Sequence, residues 1–326
     1  MIQTETSEGK WIFIVNPIAG NGFGTRYEST VEKMIEKYGV DADVIYTEYS
    51  GHATELAAAS ADKGYKYIIG VGGDGTMNEI ARSLIGRKDI VVGLIPAGTG
   101  NDFIQILGFP NRLDESHWKI FFDRNIIPMD VGSCNGKYFL NGMGLGFDAQ
   151  VAAENYIEPG KVKLGGKYKY IWHIVKTLLF FKEKQMTVIS GDKRSTSTCF
   201  MNTVAIGRRF AGSFFITPKA IANDGLLDVC NVKKINLFQR FRILLMVPKG
   251  THINNPKVDY HQTDKISIEF TKKVPFHLDG ELNFAQKFDI RVIPGALNII
   301  YNSEGDHFFR TECRKISTST NGTSTL

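Results

Sequence analysis

Apolar runs and polar breaks alternate regularly over the first third of the chain. Trp11-Ile12-Phe13-Ile14-Val15 is an unbroken apolar run of strand length, stopped by Asn16-Pro17. Val31, Met34, Ile35 and Tyr38 then fall at helical spacing and predict a helix over 30–38. Residues 42–46 read as strand, 53–63 as helix, 67–71 as strand, 77–85 as helix and 90–95 as strand. Strands apolar on both faces, alternating with helices, predict a doubly wound parallel sheet. Thr76 and Glu79 stand in the spacing of a capping box, which predicts a helix beginning at Thr76.

Near Pro128 the period changes. Short strands at 138–141, 185–189, 197–205, 227–232, 265–270 and 288–293, separated by turn residues, predict a β-sandwich or related antiparallel sheet. Helical patterns at 168–182 and 237–247 interrupt them, and a closing strand at 296–301 is expected to return to the first unit. The expected fold class is α/β plus β: an N-terminal doubly wound α/β nucleotide-binding domain and a C-terminal antiparallel β-sandwich domain with inserted helices. Its expected boundaries are 10–130 for the first domain, rejoined by about 296–313, and 131–295 for the second. The Ser/Thr/Asn-rich tail, 314–326, is expected to be disordered.

Composition narrows the function classes. At 326 residues, with 43% hydrophobic and 22% charged residues, the chain has the size and balance of a two-domain globular protein. A net charge of +5 argues against a dedicated nucleic-acid partner and suits peripheral contact with an anionic membrane surface. Cys134, Cys199, Cys230 and Cys313 show no CxxC spacing, so a reduced, cytoplasmic protein without structural zinc is expected. Residues 1–10 lack a signal-peptide pattern, and the most apolar stretch, 170–181, is interrupted by His173 and Lys176. A lipid substrate would therefore be reached from the water side, at the inner face of the membrane.

Two glycine loops carry the candidate chemistry. Gly72-Gly73-Asp74-Gly75-Thr76 and Gly98-Thr99-Gly100-Asn101-Asp102 each follow an apolar strand. Glycines there leave backbone N–H groups bare for phosphate oxygens, and a helix start adds partial positive charge. An Asp in each loop points to a divalent cation beside a nucleotide polyphosphate. Read alone, the first loop is also compatible with a ligand-free βα turn. Likewise Asn223-Asp224-Gly225 and Asp279-Gly280 are ordinary turn chemistry, and Asp130 is compatible with a satisfied interdomain carboxylate. No P-loop signature occurs, and Asn16-Pro17-Ile18-Ala19-Gly20-Asn21-Gly22 after the first strand is not G-x-G-x-x-G, so a hydride-transfer Rossmann enzyme is disfavoured.

Taken in order, these motifs resemble the diacylglycerol kinase catalytic-domain family, to which sphingosine kinases and soluble bacterial lipid kinases belong. The resemblance rests on Asn16-Pro17 with Gly20, the two glycine loops, Asn223-Asp224-Gly225-Leu226-Leu227-Asp228, Asp279-Gly280-Glu281 and Ile293-Pro294-Gly295-Ala296-Leu297. It implies that ATP is held by Asn16, Thr47, Gly72, Gly73, Asp74, Gly75, Thr76, Met77, Asn78 and Thr99. It implies that Asp74, Asp102 and Asp130 surround a catalytic Mg2+. The carbonyls of Ile221 and Leu226 and the Asp224 carboxylate would hold a second, structural metal. Glu281 would be the general base, in the catalytic motif it shares with Asp279, and Lys163 would lie near the active site. The family often carries a small hydroxyl and a cation near Gly20; here Ala19 and Asn21 stand there, with Arg26 as a substitute cation.

The chemistry fits independently. Hard magnesium takes a few separated carboxylates and keeps several waters. A lipid hydroxyl needs a carboxylate to accept its proton as the phosphoryl group moves. The expected function is an ATP- and Mg-dependent lipid kinase acting in the interdomain cleft, with diacylglycerol as the leading acceptor. Two alternatives stand beside it. One is a NAD kinase-like phosphotransferase, related through the first loop but disfavoured by the second loop and by Asp279-Gly280-Glu281. The other is a non-catalytic lipid- or nucleotide-binding module, for which Glu281 would be dispensable. For membrane contact the lysine- and aromatic-rich stretch 161–184 and Arg208-Arg209-Phe210 are candidates, the former also reading as an amphipathic core helix. His173 and His252 read as structural, and a homodimer is compatible with the sequence.

Overall fold

The computed structural model describes residues 9–155, 167–190, 193–212 and 214–311. Lys163, Cys313 and the tail at 314–326 lie outside the described residues, as does the side chain of Arg26.

The first half runs β1 (Trp11–Val15), α1 (Ala19–Tyr38), β2 (Ala42–Tyr46), α2 (His52–Asp62), β3 (Tyr67–Gly72), α3 (Asp74–Leu84) and β4 (Val91–Pro96). All four strands are parallel, in the order β4-β3-β1-β2, and β1, β3 and β4 are buried throughout. The order reverses between β1 and β3, so a crevice opens at the carboxyl ends of those two strands. Two sequence expectations shift here. Helix α1 begins at Ala19, well before 30, because glycines at 20, 22 and 24 hide its apolar period. Helix α3 begins at Asp74 with Gly73 as its N-cap, so Thr76 is inside it and no capping box forms. Glu79 instead reaches across to α2, where its carboxylate accepts the Gly51 N–H at 2.9 Å and the Ala53 N–H at 3.3 Å.

Next come α4 (Asp102–Ile106), α5 (Glu115–Phe122), β5 (Ile126–Cys134), β6 (Lys137–Phe139), β7 (Gly142–Gly146), α6 (Phe147–Asn155), α7 (Lys167–Phe180), β8 (Lys184–Ser190), β9 (Lys193–Ala205), β10 (Leu227–Lys233), α8 (Leu237–Met246), β11 (Val258–Thr263), β12 (Lys265–Leu278) and β13 (Glu281–Ile300). Strands β7 and β8 each join β9 to β12 in antiparallel pairs, so these four close on themselves like the two faces of a sandwich. The expected α/β plus β class therefore holds. The strands predicted at 288–293 and 296–301 are one 20-residue strand, β13, with a register shift between Ile293 and Leu297. Its end pairs in parallel with β4 (Asn298↔Val91), joining both halves in one 13-stranded sheet.

Two cores result. The larger runs from Trp11, Phe13 and Ile69 through Phe121 to Phe288 and Ile299. The smaller gathers Phe147, Leu178, Phe181, Phe200, Ile216 and Ile243 under α6, α7 and α8. Among the described residues no helix is long and apolar enough to cross a membrane.

Candidate active site

The two glycine loops pack against each other. The Gly72 carbonyl accepts the N–H groups of Ala97 (2.8 Å) and Gly98 (3.2 Å). A Cβ on Gly98 would lie 2.5 Å from the Gly73 Cα, and one on Gly73 would lie 3.1 Å from the Gly100 carbonyl oxygen. Gly73 and Gly98 are thus required by loop against loop. Gly75, exposed in the first turn of α3 with nothing within 4 Å of an added Cβ, and Gly100, exposed with only Asp74 Oδ2 at 3.7 Å, are the glycines left open to a ligand.

Asn16 spans the crevice between β1 and β3. Its N–H donates to the Val71 carbonyl at 3.0 Å and its side-chain amide to Thr76 Oγ1 at 3.1 Å. Thr47 is half-buried at the end of β2 and Thr99 is exposed on the second loop. Met77 differs from its neighbours: its side chain is fully buried and its N–H is taken by the Gly73 carbonyl. It packs the core under the loop.

The Asp74 carboxylate accepts the N–H groups of Asp102 and Phe103, both at 3.0 Å, and so caps α4. Asp102 in turn accepts the Gly212 N–H at 2.7 Å. Asp279 is held more tightly still, accepting Leu140 N–H at 2.7 Å, Asn141 N–H at 3.0 Å and Gly142 N–H at 2.8 Å. It adopts φ 46° in the two-residue turn between β12 and β13, with Gly280 at φ 88°. Asp74, Asn78, Asp102, Asp279 and Gly280 line one end of a cavity of about 390 Å³. The rest of its wall is mostly apolar, including Phe147, Ile174, Met201, Phe214 and Leu244.

The three carboxylates are electrostatically strained. Burial pushes Asp74 up, against the pull of its two N–H donors. Burial and then the Asp74 charge push Asp102 up to about 6. Burial pushes Asp279 up to about 6 despite three N–H bonds. Such a cluster favours a cation. Among the described residues, however, no group of three or more His, Cys, Asp or Glu side chains can hold a metal ion alone.

Two predicted site residues lie apart from this mouth. Asp130, deep in β5, accepts Gly225 N–H and Gly295 N–H, both at 2.7 Å, and feels the Asp224 charge. It therefore belongs with the 221–228 segment, where the Asp224 carboxylate accepts the Leu226 N–H at 3.1 Å and the Gln262 amide at 3.3 Å. Glu281, the residue after Gly280, does not line the cavity. Its carboxylate pairs with Arg82 of α3 at 2.6 Å, and both side chains are exposed.

Two family models match the chain: the diacylglycerol kinase catalytic domain over residues 10–134, and the YegS C-terminal NAD kinase beta sandwich-like domain over 131–301. The chain belongs to the diacylglycerol kinase catalytic-domain family. It is a lipid kinase of that family, an enzyme with an alcohol acceptor. It is similar to the diacylglycerol kinase of Bacillus subtilis (strain 168), 28% identical over 270 residues that cover 82% of this chain and 88% of the relative. The diacylglycerol kinase of Staphylococcus saprophyticus is also 28% identical, with 82% and 87% covered. A solved chain from Bacillus anthracis str. Sterne shares the fold with a TM-score of 0.76 at 24% identity, over 93% of this chain and 99% of that one.

Three residues at or beside the candidate site escaped the sequence reading. Asp148 of α6 and His277 of β12 face each other in the cavity wall, Oδ2 to Nε2 3.5 Å, and Arg82 meets Glu281. Asp148 and His277 are 129 positions apart; no motif surrounds Asp148, whereas His277 lies two residues before Asp279-Gly280-Glu281, a spacing that puts it on the same face of a strand as Asp279. Arg82 had a signal as well: it lies four residues beyond Asn78, one turn along α3, and Asn78 lines the cavity. Arg208 and Arg209, expected as a membrane contact, are half-buried instead. Arg208 donates to the Ala220 carbonyl at 2.7 Å and Arg209 to the Gln105 side chain at 2.7 Å. His252 is structural as expected, fully buried against the Ile216 carbonyl.

Proposed function

We propose that this lipid kinase transfers the γ-phosphate of ATP to the hydroxyl of a membrane lipid, diacylglycerol first among them, with magnesium as the metal. The observation that carries this reading is an apolar cavity ending in Asp74, Asp102 and Asp279 beside the two glycine loops. An acyl-bearing substrate suits the apolar wall, and its hydroxyl would lie at the acidic end.

In this reading residues 10–130, with the returning end of β13, bind the nucleotide, and 131–295 bind the lipid. Asn16, Thr47, Gly72 to Thr76, Asn78 and Thr99 hold ATP, with Gly75 giving the phosphates their closest backbone approach. Asp74 and Asp102 would hold the catalytic magnesium, and Asp130 would join the second, structural site with Asp224 and the carbonyls of Ile221 and Leu226. Magnesium held there would supply neutralisation of phosphate charge. Asp279 fixes the β12–β13 turn. Glu281 leaves Arg82 to accept the lipid hydroxyl proton, so that Arg82 is freed towards the phosphates.

The test uses labelled ATP, purified full-length protein, and diacylglycerol, other lipid alcohols and NAD as acceptors. Label is expected in diacylglycerol, and chelation of magnesium should abolish it. Label appearing only in NAD would replace this reading with a NAD kinase-like one.

A further inference from the structure

Helix α8 is apolar on two faces. Its inner face sends Ile243 into the smaller core and Leu244 to the cavity wall, followed there by Val247. Its outer face carries Leu237, Phe241 and Leu245 at four-residue spacing, with Phe238 beside them. Phe238 is 76% exposed and Leu245 78%, where a helix on a soluble surface ordinarily carries polar side chains. The end of α7 adds Leu179 and Phe180, the latter 75% exposed. Arg240 binds the two helices together, donating to the carbonyls of Leu178 (2.6 Å) and Phe181 (3.0 Å) and pairing with Glu183 at 2.6 Å. Six of the eleven large apolar side chains exposed among the described residues fall on this one corner, which makes it a patch and not scatter.

The free charge around it is basic, Glu183 being taken up by the buried Arg240. From 233 to 258 the chain also holds Lys233, Lys234, Arg242, Lys249 and Lys257 and no Asp or Glu. Lys176 and Lys182, both exposed, flank the α7 side. A second copy of the chain docking here by two-fold symmetry would set these cations against their own counterparts. An anionic bilayer offers acyl chains to the aromatic residues and phosphates to the lysines. Ile174 of α7 and Leu244 of α8 line the cavity, so the wall behind this patch is a wall of the cavity itself.

We propose that the outer face of α8 and the end of α7 form the surface on which the protein rests on an anionic membrane. Phe180, Phe238 and Leu245 enter the acyl region, and a lipid then reaches the cavity without crossing bulk water. This rests on the lipid-kinase reading, but its test does not need catalysis. Full-length protein is sedimented with vesicles of phosphatidylcholine alone and of phosphatidylcholine with phosphatidylglycerol. Wild type is expected to pellet with the anionic vesicles, and F238E/L245E to partition about tenfold or more weakly. The same variant should keep wild-type activity on water-dispersed dioctanoylglycerol, which also reports that it is folded, and lose activity on long-chain diacylglycerol held in vesicles. Equal pelleting of variant and wild type would overturn the proposal. So would a wild-type dimer that the double substitution makes monomeric while vesicle binding stays unchanged. Wild type inert on dioctanoylglycerol would instead overturn the acceptor assignment, with vesicle partition still deciding the surface.

Discussion

The glycines of the two loops divide into those that serve packing, Gly73 and Gly98 above all, and those left open, Gly75 and Gly100. Gly98→Ala forces a Cβ to within 2.5 Å of the Gly73 Cα, a backbone atom that cannot swing away. It should cost about 1–3 kcal/mol in urea unfolding. Gly75→Ala meets no neighbour, sits in a helix, and should leave stability unchanged or raise it by about 0.5–1 kcal/mol. Yet it should raise the KM for ATP, which steady-state kinetics would read. Glu281→Gln should lower kcat by about two to four decades with the fold intact; full activity would remove the assigned base. The carboxylates set the pH dependence. Asp102 and Asp279, raised to about 6 from 3.8, favour the protonated form in the folded state. Their contribution to stability is full below the unfolded value and is lost as pH rises through about 6. The urea midpoint of metal-free protein should therefore rise as pH falls from about 7 to about 5, and Asp102→Asn should flatten that rise. On the proposed reading activity should run the other way, falling through about 6 as Asp102 takes up a proton, with excess magnesium moving that limb to lower pH.

At the scale of elements, β1, β3 and β4 were legible because each is a short apolar run bounded by turn residues, and β2 because Val44-Ile45-Tyr46 follows at the right distance. Boundaries failed where a local rule met a longer-range partner. Thr76 and Glu79 have the spacing of a capping box, but Glu79 is used to cap α2, a contact 26 to 28 residues away that no window reveals. Glu79→Ala should cost about 0.5–2 kcal/mol, measured by chemical denaturation. Strand β7 was invisible for a different reason. Its sequence, Gly-Met-Gly-Leu-Gly, carries no strand propensity, yet a side chain on Gly142 would meet the Phe210 ring at 2.5 Å. The residues of the candidate site were readable one motif at a time. Their grouping was not: nothing in the spacing says that Asp130 keeps company with Asp224 and not with Asp74.

For the whole molecule, β13 matters most. It pairs with β12 and β5 of the antiparallel part and with β4 of the parallel part, so a single strand is shared by both halves. Unfolding should be one cooperative transition, with fluorescence from the tryptophans and far-UV circular dichroism coinciding in urea; two separated transitions would show the halves to be independent. The acidic end of the cavity carries a further consequence. If, as proposed, this end of the cavity takes a metal-laden reagent, its three carboxylates would repel a phosphomonoester once the metal had departed, and in a poorly solvated recess that repulsion is weakly screened. The same ring that recruits the reactants would thereby evict the finished product, and turnover would slow when surplus cation masks it.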